Sequence, residues 1–297
     1  MPILKKIKSM IETLRPPQSA SVMKMNAEYF LRRQLLTQLT LNATTQGIAK
    51  ERKGEEEVIV SLTSYGRRIQ EVFLPIESIM QGTVKADRII LWVDERLKTA
   101  ALPITLLRQQ ERGLEIRFTK DIRSYTKLIP ALKAFPESLI VTVDDDVIYP
   151  YDFLENLMNV HRQHPESICA NVVLKMEKDR DGKFLPIKEW PYITEDMEGE
   201  ALFFEGFGGV LYPTHCFTEE ILNEEVFTAL CPTADDVWFN AMAKKAGRSI
   251  RLVDIHPYDY IANVNPNVQD TALYLVNNND EQNNDKQIIA VWEKYLR

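Results

Sequence analysis

Three consecutive carboxylates, Asp144, Asp145 and Asp146, follow directly on the apolar run of residues 139–143 in LIVTVDDDVIYP. Adjacent anions repel, and burial raises a carboxylate's pKa unless something positive or hydrogen-bonding stabilises the charge. A bound cation, a set of backbone N–H groups or plain exposure to water would each answer the problem. If the strand stays extended, Asp144 and Asp146 point to one side and Asp145 to the other. Two carboxylates converging at a strand end suit a hard divalent cation, Mn²⁺ or Mg²⁺, that also binds substrate phosphates. The competing reading is a solvated strand end whose acids serve turns and caps.

A second acidic site lies in PTADDVWFNAMAKKAG. Ala234, Val237, Trp238 and Ala241 mark the packed face of a helix, with Asp235 at its flank and Asp236 turned away. One of the two acids could act as general base for an acceptor hydroxyl. The alternative is a capping box, Thr233 with Asp236, in a first turn where the helix dipole favours acids. Arg67 and Arg68 in SLTSYGRRI, and Lys127 in DIRSYTKL, are the cations at hand for an anionic substrate. EGFGGVLYP places Gly206, Gly208 and Gly209 within four residues. It has neither dinucleotide-loop nor P-loop spacing, so Gly208 and Gly209 serve either close backbone approach to a ligand or a tight turn. His256, before Pro257, is either a structural histidine or a third, non-carboxylate metal ligand. Cys169, Cys216 and Cys231 lack metal-ligand spacing and a His partner pattern, which argues against a thiol nucleophile and a disulfide framework.

These residues need elements to position them. From residue 58 strand and helix patterns alternate: EVIVSLTSY, IQEVFLPIESIMQG, DRIILWVDE, TALPITLLRQQERG, LEIRFTKD, SYTKLIPALKAFPE, LIVTV. That order argues for βαβ units and a mostly parallel α/β sheet flanked by helices. In such sheets ligands sit at the carboxyl ends of the strands, where Thr63, Ser64, Tyr65, Asp94, Asp121 and the triplet fall. Residues 1–57 read as a helical extension and linker, 58–265 as the main domain, and 266–297 as a polar loop and terminal helix. SICANVVLKM reads as one strand, and Asp152 with Glu155 as the start of a helix reaching about Gln163. Residues 1–15 form a basic amphipathic pattern, suited to packing on protein or to peripheral contact with an anionic membrane.

The net charge of −7 supplies no basic footprint for nucleic acid. No stretch approaches the roughly 20 apolar residues of a membrane span. With no signal-peptide pattern visible, the cytoplasm is the expected location, with the inner face of a membrane as the alternative through residues 1–15. A homo-oligomer is compatible with all of this.

Taken in order, VIVSLTSYGRRI, DRIILWVDE, DIRSYTKLIPAL, LIVTVDDDVIYP, GFGGVLYP and TADDVWFNAMAKKAG resemble bacterial glycosyltransferases of the GT-A (Rossmann-like) fold that build capsule and O-antigen polysaccharides. The resemblance covers about residues 58–260 and leaves out the N-terminal segment and the Asn-rich tail. It implies a nucleotide-sugar donor, with UDP the favoured nucleotide, held by a D-x-D-bound Mn²⁺ or Mg²⁺, and a saccharide acceptor, free or lipid-linked. It would place Thr63, Ser64, Tyr65 and Arg68 at the nucleotide, and Asp94, Asp121 and Lys127 near base or ribose. Asp144 would face the sugar or ribose, Asp146 would bind metal, and Asp145 is the third candidate of the triplet. Asp235-Asp236 matches the family's base element, with Asp236 preferred. A sugar-phosphate nucleotidyltransferase and a non-enzymatic carbohydrate-binding subunit are the alternatives.

Overall fold

β1 (Glu57–Thr63) and β2 (Arg88–Asp94) each carry five consecutive buried residues, the signature of strands covered on both faces. In the computed structural model, which describes residues 20–51, 54, 56–197, 199, 201–253, 261–262 and 284–296, they lie at the heart of a seven-stranded sheet. β3 (Leu114–Thr119) and β4 (Ser138–Thr142) flank them in parallel register. β5 (Val147–Ile148) follows the acidic triplet and leaves the sheet. β6 (Ile168–Ala170), β7 (Val173–Lys175), β8 (Leu202–Phe204), β9 (Val210–Tyr212), β10 (Ile250–Leu252) and β11 (Ile261–Ala262) complete the strands. The order is β10-β6-β9-β4-β1-β2-β3, and β9 runs antiparallel to both its neighbours. The expected mostly parallel α/β architecture is what forms.

Alternate residues of each strand feed two apolar layers. Ile59 and Ile140 join one layer, with helices Ile129–Ala134, Asp235–Lys245 and Asn284–Tyr295. Val58, Val60 and Val141 join the other, with helices Phe73–Met80, Ile104–Gln110 and Phe153–Gln163. The Ala20–Asn42 helix belongs to the second layer through buried Tyr29 and Leu36, and Arg33 pairs with Glu71 at 2.7 Å.

The antiparallel sense of β9 matters for function. Its amino end lies at the same sheet edge as the carboxyl ends of β1 and β4, so the glycine-rich turn before β9 meets the acids after β4.

Local details depart from expectation. SICANVVLKM breaks at Asn171 into β6 and β7, which belong to different sheets; the Asn171 side chain donates to the Gly208 carbonyl at 2.9 Å and fixes the break. Asp152 sits at the start of its helix without capping it, and Glu155 accepts from the Thr83 hydroxyl instead. Pro130 stands in the first turn of Ile129–Ala134, where its missing N–H costs nothing. Residues 1–15 and His256 lie outside the described residues.

Candidate active site

β4 ends at Thr142, so the triplet is not an extended strand; Asp145 and Asp146 form the turn into β5. The side-to-side alternation expected for Asp144 and Asp146 is therefore lost. Asp145 is buried and takes a forked contact from Arg68, whose Nε and Nη2 lie 3.0 and 2.5 Å from its Oδ1. The Ser64 hydroxyl donates to its other oxygen at 2.6 Å. Asp146 shares the same guanidinium at 2.8 Å. Asp144 is set apart: it pairs with Lys127 at 2.9 Å, and its backbone N–H donates to the Tyr149 hydroxyl at 2.8 Å. That hydroxyl in turn donates to the Phe207 carbonyl at 2.9 Å, tying the triplet to the glycine-rich turn.

Arg68 reaches the triplet because the chain turns sharply after β1 into the 3₁₀ segment Gly66–Gln70, with Gly66 at φ +54°. Despite the cost of burial, Asp145 and Asp146 hold the Arg68 pKa above its usual value. Asp146 remains strained electrostatically. Burial, partly offset by Arg68 and reinforced by Asp145 and Asp144, pushes its carboxyl up to about 6.

Lys127 is the hinge between the two acidic motifs. Its ammonium is buried, 2.9 Å from Asp144 and 3.1 Å from Asp235 Oδ2. Its backbone carbonyl accepts from the Ser61 hydroxyl at 2.6 Å, and Ser61 accepts from the Trp92 indole at 2.9 Å, so β1 and β2 fix the lysine's origin. Beside it, Asp236 Oδ2 accepts the Gly206 N–H at 2.9 Å, while Oδ1 is shielded and has no hydrogen-bond partner. Burial first, then Asp235, raises the Asp236 carboxyl to about 8. The capping-box reading of Thr233 and Asp236 fails: the helix begins without a side-chain cap, and the Thr233 hydroxyl accepts from Gln287 at 2.9 Å. Nor is Asp236 turned out to solvent as the helical wheel suggests. Asn240, one turn on, clamps both backbone groups of Phe204 and so holds this helix against β8.

The remaining candidates divide. Thr63 donates to the Trp92 carbonyl at 3.0 Å and Tyr65 is exposed with Arg68 at 5.9 Å from its ring. Asp94 caps the next turn, accepting the Arg96 N–H at 2.8 Å, and Arg96 lies 3.8 Å from Asp121. These two acids form a rim cluster of their own rather than joining the buried network. A Cβ on Gly208 would strike Val172 at 2.5 Å, and one on Gly209 (φ +86°) would strike Phe153 at 2.4 Å. Packing accounts for both glycines. Gly206 is the glycine that borders the acids, since a Cβ there would lie 2.5 Å from Asp236 Oδ1 and 2.9 Å from the Lys127 ammonium. Gly206, Tyr149 and Ser61 belong to this network and were not singled out by spacing alone; the glycine cluster hinted at Gly206.

Among the described residues no group of three His, Cys, Asp or Glu side chains is arranged to hold a metal ion. Asp144 and Asp146 fit a hard cation as a partial donor set, because Mg²⁺ is commonly held by one or two carboxylates, with substrate phosphates and water completing its shell. No helix of the described residues is long and apolar enough to cross a membrane.

No family model matches this chain, and neither does any curated protein. Among solved structures it is similar to a CMP:2-keto-3-deoxy-manno-octonic acid synthetase complexed with CTP, at 12% identity and a TM-score of 0.43. The likeness covers 74% of this chain and 98% of that one. The described enzyme falls in the nucleotidyltransferase class named above as an alternative, but a likeness so distant carries no weight for either chemistry.

Proposed function

We propose that this chain is a metal-dependent glycosyltransferase of GT-A type that moves a sugar from a UDP-sugar to a saccharide hydroxyl with inversion. The observation that carries this reading is Asp236: a carboxyl with one oxygen held by the Gly206 amide and the other shielded and unpartnered. A raised pKa makes such a carboxylate a stronger base for an attacking hydroxyl. Transfer of a nucleotidyl group to an already anionic sugar phosphate has no use for that base.

Each residue then has a task. Arg68 and Ser64 hold Asp145, which fixes the turn that carries Asp144 and Asp146. A divalent cation on Asp146 and Asp144 would stabilise the negative charge that develops on the diphosphate. Lys127 holds Asp144 and Asp235 together, setting the distance between donor and base. Asp236 accepts the acceptor's proton from the far face of the sugar.

Binding of UDP with and without Mn²⁺, by calorimetry, tests the donor half. Asp146→Ala is expected to abolish Mn²⁺-dependent UDP binding; unchanged affinity rejects the assignment. A nucleotide-sugar panel assayed for UDP release, beside CTP and UTP assayed for pyrophosphate release with sugar phosphates, separates the two transferase classes.

A further inference from the structure

Glu205 has no part in the chemistry above, yet it immediately precedes the Gly206 amide that holds Asp236. Its own N–H is spent on the Val172 carbonyl at 3.0 Å, which fixes it at the end of β8. Its Oε2 is shielded from solvent and has no hydrogen-bond partner, while the carboxyl receives a hydrogen bond from the Tyr192 side chain. A carboxylate oxygen left unpaired and dry is costly, and nothing in the fold requires it, since Gln would fit the same space.

Tyr192 stands beside it for a structural reason. Its backbone bridges Leu174 of β7 on the side opposite Phe203 of β8, so residues 192, 174 and 203 lie in one row. Trp190, two residues earlier, is buried and anchors the segment, with its indole donating to the Leu185 carbonyl at 3.0 Å. Tyr192 is nevertheless 53% exposed, an aromatic residue next to an unsatisfied acceptor.

We infer that Glu205 and Tyr192 form the acceptor subsite, with the Glu205 carboxylate accepting from a sugar hydroxyl and the Tyr192 ring covering the apolar face of that pyranose. The inference rests on the glycosyltransferase reading. The chemistry matches a saccharide: a pyranose offers hydroxyl donors at its edge and C–H bonds on its face. Position adds the second argument. Glu205 directly precedes Gly206, whose amide holds Asp236, so both carboxyls belong to the surroundings of the same short segment.

Saturation-transfer NMR with four methyl glycosides (glucoside, galactoside, mannoside and N-acetylglucosaminide), in the presence of UDP and Mn²⁺, tests this without turnover. Wild-type protein is expected to saturate at least one glycoside. Glu205→Gln, which keeps the shape, and Tyr192→Ala, at an exposed position, should each reduce that signal at least fivefold while UDP signals persist. A glycoside signal that survives either substitution overturns the subsite, as does the absence of any glycoside signal beside normal UDP binding. Glycoside binding that is lost in both variants, in a protein that never binds UDP, would instead sink the transferase reading and leave the subsite standing.

Discussion

Two buried ion-pair networks, one associated with each apolar layer, obey opposite rules. On one side Glu77, fully buried, accepts from Arg112 at 2.8 and 2.9 Å, from Thr40 at 3.1 Å, from Gln109 at 3.2 Å and from Gln81 at 2.6 Å. One anion meets one cation, and neutral donors fill the remaining lone pairs. The guanidinium also donates to the Thr45 carbonyl at 2.8 Å, so the knot ties the segment after the N-terminal helix to the sheet domain. On the other side, among the described residues, five carboxyl groups, Asp144, Asp145, Asp146, Asp235 and Asp236, share two cations, Arg68 and Lys127. The first network is balanced in charge, although Arg112 Nη2 and Gln109 Oε1 are buried in it without hydrogen-bond partners. Among the described residues the second has more anions than cations, and burial together with the neighbouring carboxylates raises the pKa values of Asp146 and Asp236. A balanced buried pair holds a fold together; an unbalanced one costs stability and is explained by what it binds.

That contrast breaks most visibly at Asp236. Asp236→Asn is expected to lower turnover by about 10²–10⁴-fold, as loss of a general base does, while raising the thermal midpoint. The sign follows from linkage. A folded pKa near 8 lies above the unfolded carboxylate value, so the folded state keeps a proton that the unfolded state releases. Wild-type stability therefore declines as pH rises from about 4 to 8, and the variant's advantage grows over that window. Melting curves across this range check it; a variant that melts lower at pH 8, or one that turns over normally, defeats the assignment. Arg112→Met makes the opposite test. Stripping the cation from the balanced knot should cost about 3–5 kcal/mol in urea unfolding, with UDP binding retained wherever the protein is folded.

Gly206→Ala is expected to act more mildly and on activity alone. The added methyl would press on Asp236 Oδ1 and the Lys127 ammonium, and a strain of about 1–3 kcal/mol falling on the transition state corresponds to a turnover loss of roughly five- to 160-fold. Steady-state rates beside a melting curve separate this from a folding defect, and an unaffected rate would mean that Gly206 does not border the working groups.

What could be read from the chain followed from local physics. The apolar runs of β1, β2 and β4 and the helices between them are dictated by burial on both faces, and they appear where their composition put them. Asp144, Asp146, Lys127, Asp235 and Asp236 could be picked out by residue type and position, and the fold brings them into one neighbourhood. Their partners could not be picked out. Arg68 could be chosen over Arg67 only by resemblance, not by spacing, because the choice rests on a 3₁₀ turn that only the folded β1–helix junction fixes. Tyr149 was invisible for the same reason: its place comes from β9 running antiparallel, a non-local pairing that brings Phe207 to the hydroxyl that also meets Asp144. The break at Asn171 was hidden because a single apolar run contains both strands and only the Gly208 carbonyl decides where it splits.

The smallest effect belongs to a pair that looks strongest by contact alone. Arg96 embraces the Asp94 carboxylate through its backbone N–H and its guanidinium, and lies 3.8 Å from Asp121. Its side chain is 80% exposed, so water and salt screen the attraction and the long side chain gives up entropy to hold one geometry. Arg96→Ala should therefore leave the melting midpoint unchanged. If Asp94 and Asp121 receive the ribose, Arg96 has to swing away when the donor arrives, and its removal should tighten UDP modestly or leave it as it was. A midpoint that fell as far as that of Arg112→Met would show that contact, rather than burial and charge balance, sets the worth of these pairs, and the distinction between the two networks would lose its basis.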